Sequence, residues 1–280
     1  MDITLEADSA TRTALFELVR RHTGIIMNER KWPLLAGRLR RRLRVLALAD
    51  YRDYLRVLEQ RPEEVGDFID LVTTNETSFF RTPRVWDYLE HSFLPEWHRT
   101  SSGSVLRIWS AAASSGEEAY SVAMLCEEFR TRHPAFQYSI LATDISDEIL
   151  GRAKQGIYQG RSAEGLKASH PALLERYFSP CAEGYSANPQ LRSRIMFAKN
   201  NLHLHARNIA SFELVLLRNV LIYFDEAGQE LVLENARRSM TDGGTLIVGE
   251  SESLSRLDTG FVFEQPLVYR NRKERDDARK

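Results

Sequence analysis

The feature that most constrains this chain is a change of texture near residue 76. Before it, apolar residues recur only at helical spacing. After it, short apolar runs of strand character alternate with helical patterns. Asp8 or Ser9 caps a first helix carrying Leu15, Phe16 and Leu18-Val19, and Thr23-Gly24 ends it. Leu35, Leu39, Leu43 and Leu46 make one stripe of a second helix, and Tyr51, Tyr54, Leu55 and Leu58 mark a third. Arg61-Pro62 breaks the pattern, and Phe68, Ile69, Leu71 and Val72 close it.

The second part runs through a helix from Val85 to Trp97, then SVLRIWS, a small-residue loop, a helix through Met124, and QYSILATD. Helices near 146–155 and 171–177, the strand FELVLL, a helix from Asp225 to about Met240 and the strand TLIVGE follow. Strands alternating with helices imply a parallel sheet covered on both faces. GFVFEQPLVYR is expected to add a strand pair at the sheet edge. Pro180, Gly184 and Asn188-Pro189 punctuate a stretch at 179–201 in which LRSRIMF alternates apolar with basic residues, which reads as a small antiparallel insertion. The expected organisation is a helical domain over 1–75, an α/β domain over 76–272 carrying that insertion, and a charged tail over 273–280.

In an open α/β sheet, ligands bind beyond the carboxyl ends of the strands, where a helix N-terminus approaches them. Ala111-Ala112-Ala113-Ser114-Ser115-Gly116 fills that loop, Glu117 and Glu118 follow it, and the next strand ends in Asp144. Small side chains admit close backbone approach, and a carboxylate there can accept both hydroxyls of an adenosine ribose. The dinucleotide fingerprint GxGxxG and the Walker lysine are both missing. A cofactor without a pyrophosphate is therefore expected, and S-adenosylmethionine fits.

TTNETSFFR at 73–81, IWSAAASSGEEAYSVAM at 108–124, ATDIS at 142–146, LRNVLIYF at 217–224 and GESES at 249–253 together resemble the chemotaxis receptor glutamate methyltransferase (CheR) family. The resemblance spans nearly the whole chain, the helical N-terminal part included. It implies a Rossmann-like S-adenosylmethionine-dependent methyltransferase domain behind an all-helical domain. By that resemblance Asn75, Thr77 and Arg81 line the cofactor pocket, and one of Glu117 and Glu118 contacts the cofactor. Asp144 holds the ribose, Asn201-Leu202 flank the adenine, and Arg218-Asn219 end the following strand. Tyr223 matches a tyrosine near the transferred methyl. Glu250 stands where the family usually has histidine.

The implied reaction moves a methyl group from S-adenosylmethionine to glutamate carboxylates in the cytoplasmic helices of membrane chemoreceptors, leaving S-adenosylhomocysteine. A glutamate with an ordinary pKa of about 4.3 is already ionised at neutral pH, so no general base and no metal are needed. Alignment and exclusion of water carry the rate, and orientation alone is worth roughly 7–11 kcal/mol. Arg81 and Tyr223 are the catalytic candidates. Arg81 can grip the acceptor or the cofactor's own carboxylate through its planar fork. Each also has a plainer reading, Arg81 as a cap or surface ion pair and Tyr223 as a core tyrosine.

Residues 28–46 hold seven basic side chains against the single acid Glu29. Arg38, Arg41 and Arg42 share a helix face, which reads either as solvated surface or as a docking patch for an acidic receptor segment. His203 and His205, lacking a third ligand nearby, read as ordinary histidines rather than a metal site. Ser114-Ser115 lack a nucleophile elbow. The loop CAEGYSANPQ, with one glycine, argues against the peptide tethering that the insertion serves in some relatives.

A formal charge of −1 gives no global attraction to nucleic acid or membrane. The N-terminus lacks a basic and apolar leader, and no apolar run reaches the roughly 18 residues of a membrane span. Two widely separated cysteines, Cys126 and Cys181, fit a reducing compartment, so a cytoplasmic protein is expected, and the family resemblance implies a monomer. The rival classes are a non-catalytic signalling adaptor that binds the same cofactor and a nicotinamide oxidoreductase. The missing phosphate loop counts against the second.

Overall fold

The computed structural model describes residues 6–101, 103–204 and 211–272; His205 and the expected tail lie outside the described residues. The N-terminal helices are α1 (Ser9–Thr23), α2 (Trp32–Val45), α3 (Tyr51–Gln60) and α4 (Glu64–Val72). Asp8 caps α1 by accepting from Thr11 N at 2.8 Å, and Asp50 caps α3 through the backbone N–H groups of Arg52 and Asp53. Leu35, Leu39 and Leu43 of α2 meet Leu15, Val19, Tyr54 and Phe68 in an apolar cluster separate from that of the sheet. Burying each such side chain contributes about 1.5–3 kcal/mol.

A second helical stretch comprises α5 (Pro83–Tyr88) and α6 (Leu94–Thr100), joined through a π turn at Leu89–Phe93. Pro95, near the start of α6, has no N–H to give the preceding turn, and the wider turn accommodates it. The chain continues through β1 (Val105–Ser110), α7 (Glu117–Arg132), β2 (Gln137–Asp144) and α8 (Asp147–Gln155). Next come β3 (Ile157–Tyr158), α9 (Gly160–Ser169), α10 (Pro171–Tyr177), β4 (Phe178–Cys181), β5 (Gly184–Ala187), α11 (Pro189–Arg192) and β6 (Ile195–Lys199). It closes with β7 (Phe212–Leu217), α12 (Glu226–Arg238), β8 (Met240–Val248), β9 (Phe261–Gln265) and β10 (Val268–Asn271).

Among the described residues the main sheet has seven strands in the order β6-β2-β1-β7-β8-β10-β9. The first five run parallel, and β10 and β9 join antiparallel at the edge, as GFVFEQPLVYR led us to expect.

The insertion differs from expectation. Its antiparallel sheet is β3-β5-β4, beginning at Ile157, whereas the LRSRIMF segment supplies β6, which pairs parallel with β2 in the main sheet. The misreading has a physical cause. An edge strand buried on one face alternates just as an exposed hairpin does: Ile195 is buried and Met196 is 64% exposed. The small sheet packs on the core through Phe79, Tyr158 and Phe178, whose rings meet edge to face.

The expected basic docking face is also divided. Arg42 pairs with Glu64, at 2.7 and 2.5 Å, and with Asp67; Tyr54 donates to the same Glu64, which is only 4% exposed. Arg38 donates to the carbonyls of Leu71 and Thr73 at 3.0 and 2.8 Å, closing the C-terminal end of α4. Of the three, Arg41 alone is exposed.

Candidate functional site

A cleft of about 900 Å³, open mouth included, lies at the carboxyl ends of β1, β2, β6 and β7. Residues 73–78 and Arg81 line it, and Thr23, the last residue of α1, and Ile25, just beyond it, also contribute. The α1 end is seated there by three contacts. Asn201 Nδ2 donates to His22 O at 2.9 Å, Ile26 N donates to Tyr223 O at 2.9 Å, and Gly24 abuts His203 and Phe224. Gly24 has φ +76°, and a Cβ there would lie 2.7 Å from the His203 ring.

Asp144, at the end of β2, is buried and accepts from Ser114 N at 2.9 Å and Ser146 N at 3.1 Å. Burial raises its pKa, and the backbone donors oppose that rise. Ser114 also donates to Asn75 O at 2.9 Å, tying the 73–81 segment to the small-residue loop. Asn75 and Thr77 line the cleft and are half-buried.

The two acids after that loop diverge. Glu118 faces the cleft, accepting from Ser110 Oγ at 2.7 Å and Arg218 Nη1 at 2.9 Å. Burial raises its pKa, with Arg218 acting against the rise. Glu117 lies outside the lining, where Ser115 and Ser162 donate to its carboxylate at 2.6 and 2.9 Å. Tyr158 braces the same loop by donating to Ser115 O at 2.8 Å. The small sheet thus supports the loop from behind.

Arg218 carries the buried positive charge of the site. Besides Glu118 it donates to Arg81 O at 2.7 Å, and its guanidinium lies 5.8 Å from the Trp86 ring centroid. Arg81 reaches the cleft, with Nη1 donating to Glu76 O at 3.2 Å. Asn219, Val220 and Tyr223 line the wall after β7, with Tyr223 ending a 3-10 turn over Leu221–Tyr223. Lys31 Nζ lies 5.8 Å from the Tyr223 ring centroid. Asn201 and Leu202 line the cleft as well, although the Asn201 amide is engaged with His22 O and His203 N.

Apart from Glu117, then, the residues expected around the cofactor converge on one cleft, together with Tyr223. Arg38, Arg41 and Arg42 do not line it. Glu250 is 58% exposed, faces Arg84 at 3.4 Å and is absent from the lining, so the departure from the family pattern falls outside the cleft. His203 stacks on Phe224 with its Nδ1 buried and unpartnered. Among the described residues no group of three His, Cys, Asp or Glu is placed to hold a metal, and no helix is long and apolar enough to cross a membrane.

Sequence reasoning missed Thr23, Ile25 and Glu252. The first two carry no signal, because their position comes from how α1 docks. Glu252 did carry one, as an acid inside GESES; it is 7% exposed and accepts four backbone N–H groups.

Comparison with known proteins agrees with this geometry. Residues 12–73 match the family model for the CheR methyltransferase all-alpha domain, and residues 75–267 match that for the CheR methyltransferase SAM binding domain. The chain is 35% identical to the chemotaxis protein methyltransferase of Escherichia coli (strain K12), over 90% of this chain and 87% of that protein. It is 39% identical to the chemotaxis protein methyltransferase of Listeria monocytogenes, over 78% and 81% of the two chains. With Cher2 of Pseudomonas putida the identity is 33%, over 86% and 90%. With its all-helical domain, its S-adenosylmethionine-binding α/β domain and their shared cleft, this chain belongs to the CheR methyltransferase family.

Proposed function

We propose that this protein transfers a methyl group from S-adenosylmethionine to glutamate side-chain carboxylates on the cytoplasmic helices of membrane chemoreceptors, producing glutamate methyl esters and S-adenosylhomocysteine. The residues of the cleft suit that cofactor. Asp144, held by backbone donors at a strand end, matches a ribose diol, and Ala111, Ala112 and Ser114 leave room for close approach. Asn201 and Leu202 fall on the adenine side, with Asn75, Thr77, Glu118, Arg218 and Asn219 around the remainder.

When bound, the cofactor supplies a methyl on a sulfonium, an electrophile that needs no further activation. The carrying observation is that Arg81 and Tyr223, a cation and a hydroxyl, both line the cleft that Asp144 and Glu118 also face. Such a pair receives a carboxylate that is already ionised. Arg81 orients an acceptor or cofactor carboxylate by paired hydrogen bonds, and Tyr223 orients the attacking oxygen. Alignment and dehydration then carry the rate.

For docking, Arg41 remains exposed, with Arg40 and Arg44 beside it on α2, while Arg38 and Arg42 hold the helical domain together. An acidic receptor helix is the complementary partner.

The test is transfer of labelled methyl to receptor-containing membranes. Base-labile label that Arg81→Ala abolishes is the expected result. Tight cofactor binding with no label on any receptor preparation would instead make the protein a signalling adaptor.

A further inference from the structure

Glu252 lies in the loop after β8 and has no part in the roles assigned above. Its carboxylate accepts from the backbone N–H groups of Asn219 at 2.8 Å, Val220 at 2.7 Å, Leu221 at 2.7 Å and Gly249 at 2.6 Å. Three successive amides of one loop thus converge on a single buried anion, a nest of peptide dipoles that replaces its hydration.

The other side of the clamp is as tight. A Cβ on Gly249 would lie 2.7 Å from Glu252 Oε2 and 2.8 Å from Asn219 N, so only glycine lets the two loops meet this closely. The clamped loop is the one that brings Arg218, Asn219 and Tyr223 into the cleft. Asn219 holds a left-handed conformation, φ +58°, which costs free energy unless its surroundings sustain it. Tyr223 follows within one turn, its N–H bonded to Val220 O at 3.2 Å.

We propose that Glu252, with Gly249 behind it, is a positioning residue for methyl transfer. It fixes the main chain of 219–221 and thereby sets where Asn219 and Tyr223 stand relative to the reacting atoms. The proposal rests on the reading of this cleft as the methyl-transfer site. It assigns to the GESES segment a role in turnover that does not depend on Glu250.

Glu252→Gln tests it. The glutamine has nearly the same volume but offers one acceptor oxygen and turns an NH₂ toward backbone donors. Methyl labelling gives kcat and KM, calorimetry gives the cofactor Kd, and amide hydrogen exchange reads residues 219–221 directly. The expected result is a kcat lowered about 10- to 100-fold per folded molecule, as small misplacements of reacting groups cause. The cofactor Kd, to which Asn219 also contributes, and the receptor KM should both change clearly less than kcat, and exchange at the three amides should rise.

An unchanged kcat, or a kcat loss matched by an equal loss of cofactor affinity, overturns the proposal in favour of a purely structural role. Gly249→Ala disturbs the same contact from the opposite side and must give the same kcat-selective loss; wild-type turnover in that variant also overturns it. Should the wild type label no receptor, the functional reading fails by itself. Amide exchange then decides the clamp, and unchanged exchange in Glu252→Gln refutes it.

Discussion

Replacing Arg218 by Met should cost more stability than any loss of surface charge, and the loss should shrink on acidification. The Arg218 and Glu118 side chains are only 3% and 11% exposed and meet at 2.9 Å. Methionine fills much of the same space but leaves Glu118 buried, with the Ser110 hydroxyl still donating to it. Removing one partner of a buried ion pair costs about 3–5 kcal/mol, because the other charge stays behind without compensation. The pH dependence follows from the same burial. Burial already raises the Glu118 pKa above its ordinary value while Arg218 opposes the rise, so losing Arg218 raises it further. Between the unfolded pKa and that higher folded pKa the native state binds more protons than the unfolded chain. The added contribution is therefore lost as pH rises through this window and regained as pH falls.

Urea unfolding followed by tryptophan fluorescence, for variant and wild type at pH 7.5 and 5.5, measures the difference and removes the acid sensitivity that both share. The double variant Glu118→Gln/Arg218→Met should recover part of the loss, with a coupling of about 2–3 kcal/mol, because neither charge is then left buried alone. A loss in Arg218→Met below about 1 kcal/mol, or one that does not shrink at the lower pH, would refute the reasoning by placing the pair in contact with water.

Asp144→Asn should weaken cofactor binding about 10- to 100-fold in calorimetry by removing charge-assisted acceptance of the ribose diol. In the wild type the raised pKa of Asp144 means that affinity should begin to fall, on acidification, at a higher pH than an ordinary aspartate would give. Gly24→Ala should destabilise the protein by more than about 1 kcal/mol in urea, from its left-handed φ and its contact with His203, and should weaken cofactor binding through Thr23 and Ile25. Arg42→Ala should destabilise the helical N-terminal part by about 2 kcal/mol, seen as an earlier transition in circular dichroism, since it strands buried Glu64. Arg41→Glu should leave stability within about 0.5 kcal/mol of wild type and raise the receptor KM at low salt, an effect that fades as salt is added.

Most of the cleft could be read in advance because its residues sit at strand ends, where chain order and position in the fold are linked. Asp144 ends β2, Ser114 follows β1, and Arg218 and Asn219 follow β7; a parallel sheet brings such positions together whatever the surrounding detail. The choice between Glu117 and Glu118 was not legible, since neighbours on a helix point about 100° apart and only the placement of Arg218 and Ser162 selects between them. Arg38 and Arg42 misled for a related reason. A helical face with three arginines looks solvated until Leu71, Glu64 and Asp67 of α4, and Thr73 just beyond it, arrive from 22 to 35 residues away.

By itself, then, the sequence determined the helical N-terminal part, the strand–helix alternation that makes the central strands parallel, and the chemistry available at their ends. Those depend on periodicity and on residue type, which are local properties. Tertiary structure alone decided that β6 belongs to the main sheet, that the end of α1 lines the cleft, which acid faces Arg218, and that Glu252 clamps the loop carrying Tyr223. Each of these depends on contacts between segments far apart in the chain, where the cost of burying a polar group selects one arrangement among several that local pattern permits equally.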